Sequence, residues 1–113
     1  MRVALRDLLA FCGRAFHVLE AADGATAMRA ITDHRPSVML TDVGLPDTNG
    51  IELTRTIKAI APETAVIVMS VQNGTQIAEQ ALAAGAVEFI AKDRIFTELP
   101  PLIARLNPLP DNP

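Results

Sequence analysis

The sequence predicts an α/β domain, an open and doubly wound parallel sheet with helices on both faces. Two observations carry that expectation. Short β-prone runs alternate with helix-period segments along the chain, and such alternation implies right-handed βαβ crossovers. The run Ala65-Val66-Ile67-Val68-Met69 is apolar at every position, as a strand covered on both sides must be. At 113 residues there is room for one domain.

The elements follow in order. Val3, Leu5, Leu8, Leu9 and Cys12 recur at helical spacing, and Gly13 closes the pattern as a C-cap. Phe16 to Leu19 is a short β-prone run. Asp23-Gly24 then reads as a turn or cap before a helix carrying Ala27, Met28 and Ile31, which Arg35-Pro36 stops. Residues 37–41 form a strand. Asn49 is an N-cap, with Glu52 at capping-box spacing, and Leu53, Ile57 and Ile60 make the buried stripe of the next helix. Ala61-Pro62 ends it. After the 65–69 strand, residues 72–75 are a loop. Ile77, Ala81 and Leu82 face inward on a further helix capped by Gly85. Residues 87–91 are the last strand and 97–106 the last helix. Pro100 and Pro101 are tolerable there only near the first turn, where amide hydrogens lack intrahelical partners. The expectation is thus five helices and four strands within residues 1–106, then a proline-rich tail or linker, 107–113.

Composition excludes several functions. A net charge of −3 with no basic cluster argues against a nucleic-acid surface. Charges at Arg2, Arg6 and Asp7 interrupt the N-terminal segment, so it does not read as a signal peptide. No apolar run reaches membrane-spanning length. One cysteine, Cys12, cannot form an internal disulfide, which suggests a reducing, cytoplasmic setting.

Parallel sheets of this kind hold ligands outside the carboxyl ends of their strands. Asp42, Ser70 and Lys92 each follow a predicted strand. A carboxylate forms an acyl phosphate when a cation offsets the phosphoryl charge. Lys92 supplies a fixed positive charge, Ser70 a hydroxyl donor, and the loop after Asp42, with Gly44, further amide donors. Taken singly, each has a plainer reading: a turn-forming Asp, a turn Ser, a solvated Lys. Their occurrence at three strand ends leaves a site and the plainer readings both open on the pattern alone.

These segments resemble the response-regulator receiver domain over about Arg2 to Leu106. "LTDVGLPDTNGIEL" is similar to the family's phosphoacceptor segment, with a proline four residues and a glycine eight residues after its aspartate. "VIVMS" resembles the strand ending in the switch Ser/Thr, and "AGAVEFIAKD" the segment with the switch aromatic and the lysine. The resemblance implies a flavodoxin-like fold. It implies that Asp42 is the phosphoacceptor, Ser70 the switch hydroxyl, Phe89 the switch aromatic and Lys92 the phosphate contact. Gly44 would offer its carbonyl to Mg²⁺. The implied partner is a histidine kinase or phosphotransfer protein.

The chain departs from the pattern in two ways. Asp93 stands where a proline often follows the lysine. More seriously, the family's first strand and the acidic pair that holds Mg²⁺ are absent, so Met1 reads as an internal or misassigned start. That strand would lie second from one edge, leaving 16–19 without a neighbour. Its four to six apolar side chains represent on the order of 10 kcal/mol, against about 5–15 kcal/mol for a whole domain. The expectation is a marginal monomer, rescued by direct pairing of the flanking strands, by a homodimer or element-swapped oligomer, or by a longer chain. Mg²⁺ uses one or two carboxylates plus water and phosphate oxygens, so Asp42 is expected to accept phosphate poorly, with Asp93 and Asp23 as weak substitutes.

The remaining residues have plainer roles. His17 and His34 read as surface or edge histidines, Cys12 as a core residue, and Met28, Met39 and Met69 as core fillers. One rival function is a small phosphatase of the haloacid-dehalogenase type. It would need a second aspartate where Gly44 stands. Another is a phosphorylation-independent pseudo-receiver, acting as a docking or dimerisation module.

Overall fold

The computed structural model describes residues 18–71 and 75–106. The expected first helix, Cys12, Phe16, His17, residues 72–74 and the tail lie outside the described residues. The described elements are β1 (Val18–Glu20), α1 (Gly24–His34), β2 (Val38–Asp42), α2 (Gly50–Ile60), β3 (Ala65–Ser70), α3 (Thr75–Ala83) and β4 (Glu88–Ala91). A short 3-10 turn (Lys92–Arg94) then leads into α4 (Ile95–Leu106). The four strands form one parallel sheet in the order β1-β2-β3-β4.

Strand order dictates which face each helix covers. Right-handed crossovers that advance in one direction leave successive helices on one face. Ala27 and Ile31 of α1, Leu53 and Ile57 of α2, and Ala81 of α3 accordingly share one buried cluster with Met39, Val66 and Val68. The alternate strand residues Val38, Leu40, Ile67, Met69 and Ile90 point to the other face, where Ile95, Leu99, Leu102 and Ile103 of α4 cover them. The period-2 alternation of β2 and β3 thus feeds two cores. The helix-covered parallel α/β sheet is as the sequence predicts.

The caps are local chemistry. Asp23 accepts from the Thr26 amide at 2.7 Å and Asn49 from the Glu52 amide at 2.8 Å, each satisfying an orphan donor of a first turn. Arg35 ends α1 in the left-handed region (φ 46°), its amide bonded to Ile31 O at 3.2 Å. Gly85, at φ +112°, reverses the chain after α3, a conformation that suits glycine.

Of the three outcomes expected for the 16–19 run, the described residues show direct pairing: β1 lies beside β2, Val18 with Val38 through Glu20 with Leu40. Several expectations need correction. Thr75, expected in a loop, begins α3. Ile60 and Leu82, expected inside, are 45% and 50% exposed, because they fall in the last turns of α2 and α3. Helix α4 starts two residues earlier than predicted, so Pro100 and Pro101 lie in its interior rather than its first turn. An interior proline costs about 3 kcal/mol, and burial of Leu99, Leu102 and Ile103 at roughly 1.5–3 kcal/mol each offsets it. Of the predicted core methionines, Met39 and Met69 are buried and Met28 packs partly buried against the first cluster. His34 is exposed, at the end of α1.

Candidate functional site

Register brings the predicted residues together. Asp42 is the last residue of β2 and stands opposite Met69. Ser70 is the last residue of β3 and stands opposite Ala91, the last of β4. Lys92 follows Ala91 directly. The three groups therefore emerge at the carboxyl ends of three adjacent strands, as the sequence analysis expects.

Lys92 and Asp42 sit on strands separated by β3. Two strand spacings are about 9–10 Å, a gap that a long lysine can bridge. It does so: Lys92 Nζ lies 2.7 Å from Asp42 Oδ1. The side chains are only 22% and 30% exposed, so water screens the pair less than a surface pair. Asp42 Oδ1 itself is buried and accepts no well-aligned hydrogen bond among the described residues. The 2.7 Å contact is therefore chiefly electrostatic, an ammonium resting against a carboxylate oxygen whose hydrogen-bonding capacity is otherwise unused.

The loop after Asp42 is pinned at both ends. The Val43 amide donates to Met69 O at 3.0 Å, the Leu45 amide to Thr48 O at 3.2 Å, and the Gly50 amide to Val43 O at 2.7 Å. Helix α2 begins against the site: a Cβ on Gly50 would stand 2.1 Å from Asp42 O and 3.1 Å from Thr41 Oγ1. Glycine is required there by space alone. Thr41, fully buried, donates its hydroxyl to the same carbonyl at 3.0 Å. Gly44 is different. Its backbone has no positive φ, and a Cβ there would meet nothing within 4 Å.

Ser70 is 7% exposed. Phe89 is half-buried, opposite Val68, and packs against the α1–α3 cluster. For a Mg²⁺ ion the fit is partial. Asp42 has a carboxylate at the strand end, but no group of three or more acidic, His or Cys side chains among the described residues could hold a metal.

Sequence reasoning missed Asp47. It lies in the loop after Asp42, and its carboxylate accepts from the amides of Gly24 and Ala25 at 2.7 and 3.1 Å. No local pattern could reveal this, since the partners are 23 and 22 residues away. Gly50 was visible as a spaced glycine, but its steric reason was not.

A helix-covered parallel sheet with a carboxylate, hydroxyl and ammonium at its carboxyl edge defines a flavodoxin-like α/β domain with a polar corner at its strand ends. Comparison with known proteins narrows that class. The model of the response regulator receiver domain matches residues 1–104, and the chain belongs to that family, the receivers of two-component systems. It is 34% identical over 105 residues, 93% of its length, to the DNA-binding transcriptional regulator NtrC of Azospirillum brasilense, of which it covers 21%. It is 38% identical over 81 residues to the transcriptional regulatory protein KdpE of Mycobacterium tuberculosis, covering 70% of this chain and 34% of the relative. Among solved structures, the signal receiver domain of the putative response regulator NarL from M. tuberculosis superposes with a TM-score of 0.67 at 31% identity. That match covers 74% of this chain and 67% of NarL's receiver. The chain thus spans only about a fifth to a third of these two regulators. No described helix is long and apolar enough to cross a membrane.

Proposed function

We propose that the chain is a phosphoacceptor receiver in which Asp42 takes a phosphoryl group from a phosphohistidine of a histidine kinase or phosphotransfer protein. The observation that carries the reading is the Lys92–Asp42 contact of 2.7 Å across β3. In the step, a carboxylate oxygen of Asp42 forms a new O–P bond while the P–N bond of the donor breaks. The donor imidazole leaves with the electron pair. Transfer adds negative charge beside Lys92, whose ammonium moves from the carboxylate to a phosphoryl oxygen and offsets that charge. The Ser70 hydroxyl donates to another phosphoryl oxygen, and Phe89 follows its movement as the switch aromatic. A divalent cation, when bound, neutralises phosphoryl charge, and Asp42 and Gly44 are the described residues that would hold it. With only these ligands among the described residues, slow transfer is the outcome expected in the assay below. The domain acts by changing its surface rather than by turning over a substrate, in the cytoplasm, alone or as a homodimer.

The exposed apolar side chains Val71 (78%) and Phe96 (53%) follow Ser70 and Lys92 closely in the chain, which suits docking of an apolar helix face beside Asp42. The scarcity of metal-binding groups among the described residues favours a second reading, a docking or dimerisation module that works without phosphate. Incubation with Mg²⁺ and acetyl phosphate, followed by intact mass, separates them. Partial one-phosphate conversion that vanishes in Asp42→Asn is expected. Rapid, complete conversion would refute the impairment, and no conversion from small donor or kinase would leave the docking module.

A further inference from the structure

We infer that Asp47 is a positioning residue for phosphoryl transfer at Asp42, an inference that rests on the function proposed above. Asp47 belongs to the loop that leaves the phosphoacceptor strand, yet its carboxylate is spent on another element. Oδ1 accepts from the Gly24 amide at 2.7 Å and Oδ2 from the Ala25 amide at 3.1 Å. These are the first amides of α1, which have no intrahelical acceptor. Helix α1 carries no acidic residue in its own first turn. The negative charge that favours its N-terminus therefore comes from its cap, Asp23, and from a loop distant in sequence.

The contact is close as well as polar. A Cβ on Gly24 would lie 2.7 Å from Thr48 Cγ2 and 3.2 Å from Asp47 Oδ1, so the loop is seated on the helix where only glycine leaves room. Val43 and Leu45, at the start of the loop, pack partly buried against the first core. Asp47 and Thr48, further along, line a cleft of about 270 Å³ together with Ala25, Met28, Leu53 and Thr56. The bonds from Leu45 to Thr48 and from Gly50 to Val43 fix the loop's shape, and Asp47 ties its cleft-lining part to α1. Gly44, whose carbonyl faces the chemistry in the proposed function, is three residues away in the same loop. A displacement of about 1 Å near a reacting centre costs up to roughly a hundredfold in rate.

The test compares the full chain with Asp47→Ala, Asp47→Asn and Ile31→Val. Ile31 lies on the same helix, fully buried in the first core, and is not part of the Asp42 loop, so its trimming controls for destabilising α1. Phosphorylation by acetyl phosphate with Mg²⁺ is followed at several donor concentrations, at a temperature where denaturation curves show every variant folded. Asp47→Ala is expected to lower the maximal rate on the order of tenfold to a hundredfold with a smaller change in half-saturating donor. Asp47→Asn, which keeps one acceptor, should fall between, and Ile31→Val should stay near the native rate. Native-like rates in Asp47→Ala, or an equal loss in Ile31→Val, would overturn the inference. If the native chain takes up no phosphate, the proposed function fails, and the amide resonances of Val43 and Gly44 decide the positioning. They should move in Asp47→Ala and not in Ile31→Val; resonances that stay in place overturn it.

Discussion

Replacing Gly50 by alanine sets two physical effects against each other. Helix propensity favours alanine over glycine by roughly 0.8–1 kcal/mol in a helix interior, less at the first position. Against this, the new Cβ would stand 2.1 Å from Asp42 O and 2.9 Å from its carbonyl carbon. That is nearly an ångström inside the closest approach that carbon atoms make, and the obstacle is backbone, which cannot rotate away. Either α2 slides outward, loosening Ile51, Leu53 and Ile57 from the first core, or β2 bends at Asp42 and strains its pairing with Met69. Overpacking of this kind costs typically 1–3 kcal/mol, occasionally more. The clash wins, and Gly50→Ala should be destabilised by about 2 kcal/mol. For a domain near this size each 1 kcal/mol moves Tm by roughly 4–8 °C, so the melt followed by circular dichroism should fall by about 10 °C. An unchanged or raised Tm would refute the steric reasoning and leave propensity as the deciding effect.

Other positions give cleaner single effects. Asn49→Ala removes the acceptor of the Glu52 amide and should cost about 0.5–2 kcal/mol, read as a lowered urea midpoint with unchanged slope. Gly85→Ala places a side chain at φ +112° and its Cβ 2.8 Å from Lys58 Cγ; the strain should cost about 1–3 kcal/mol, measured by the same denaturation curve. Leu99→Ala opens a cavity where a fully buried side chain meets the second core and should cost about 2–5 kcal/mol, with Asp42 and Lys92 left in place.

Much of the fold is legible because its signals are local. Apolar runs mark β2 and β3, and Asn49, Asp23 and Gly85 cap where their chemistry says they should. The misses share a cause. Helical period says which side of a helix faces the sheet, not how far its end overhangs, so Ile60 and Leu82 were placed inside although their last-turn positions leave them half exposed. The first turn of α4 was misplaced because its 3-10 lead-in and Ile95 carry no strong cap signal. The sequence offers the pairing of β1 with β2 only as one outcome of three, because which hydrogen-bonding edge is free is a property of the assembled sheet. Asp47 is the same case at the level of the site: an exposed loop carboxylate is ordinary until the helix it reaches is known.

The β1–β2 pairing lies outside the contacts that set the corner. Asp42, Ser70 and Lys92 are set by β2, β3 and β4, whose mutual register involves no residue of β1. The span from Lys92 to Asp42 crosses β3 alone. A neighbour on the far side of β2 therefore changes what lies beside Asp42 without changing what lies across from it. What β1 contributes beyond that pairing comes through α1, which follows it within a few residues and presents its N-terminal amides to Asp47. The site thus divides in two. Its ammonium and hydroxyl belong to the strands, and the seat of its loop belongs to the helix beyond the edge. A change in β1 should reach Asp42 by two routes, its pairing with β2 and the carboxylate of Asp47.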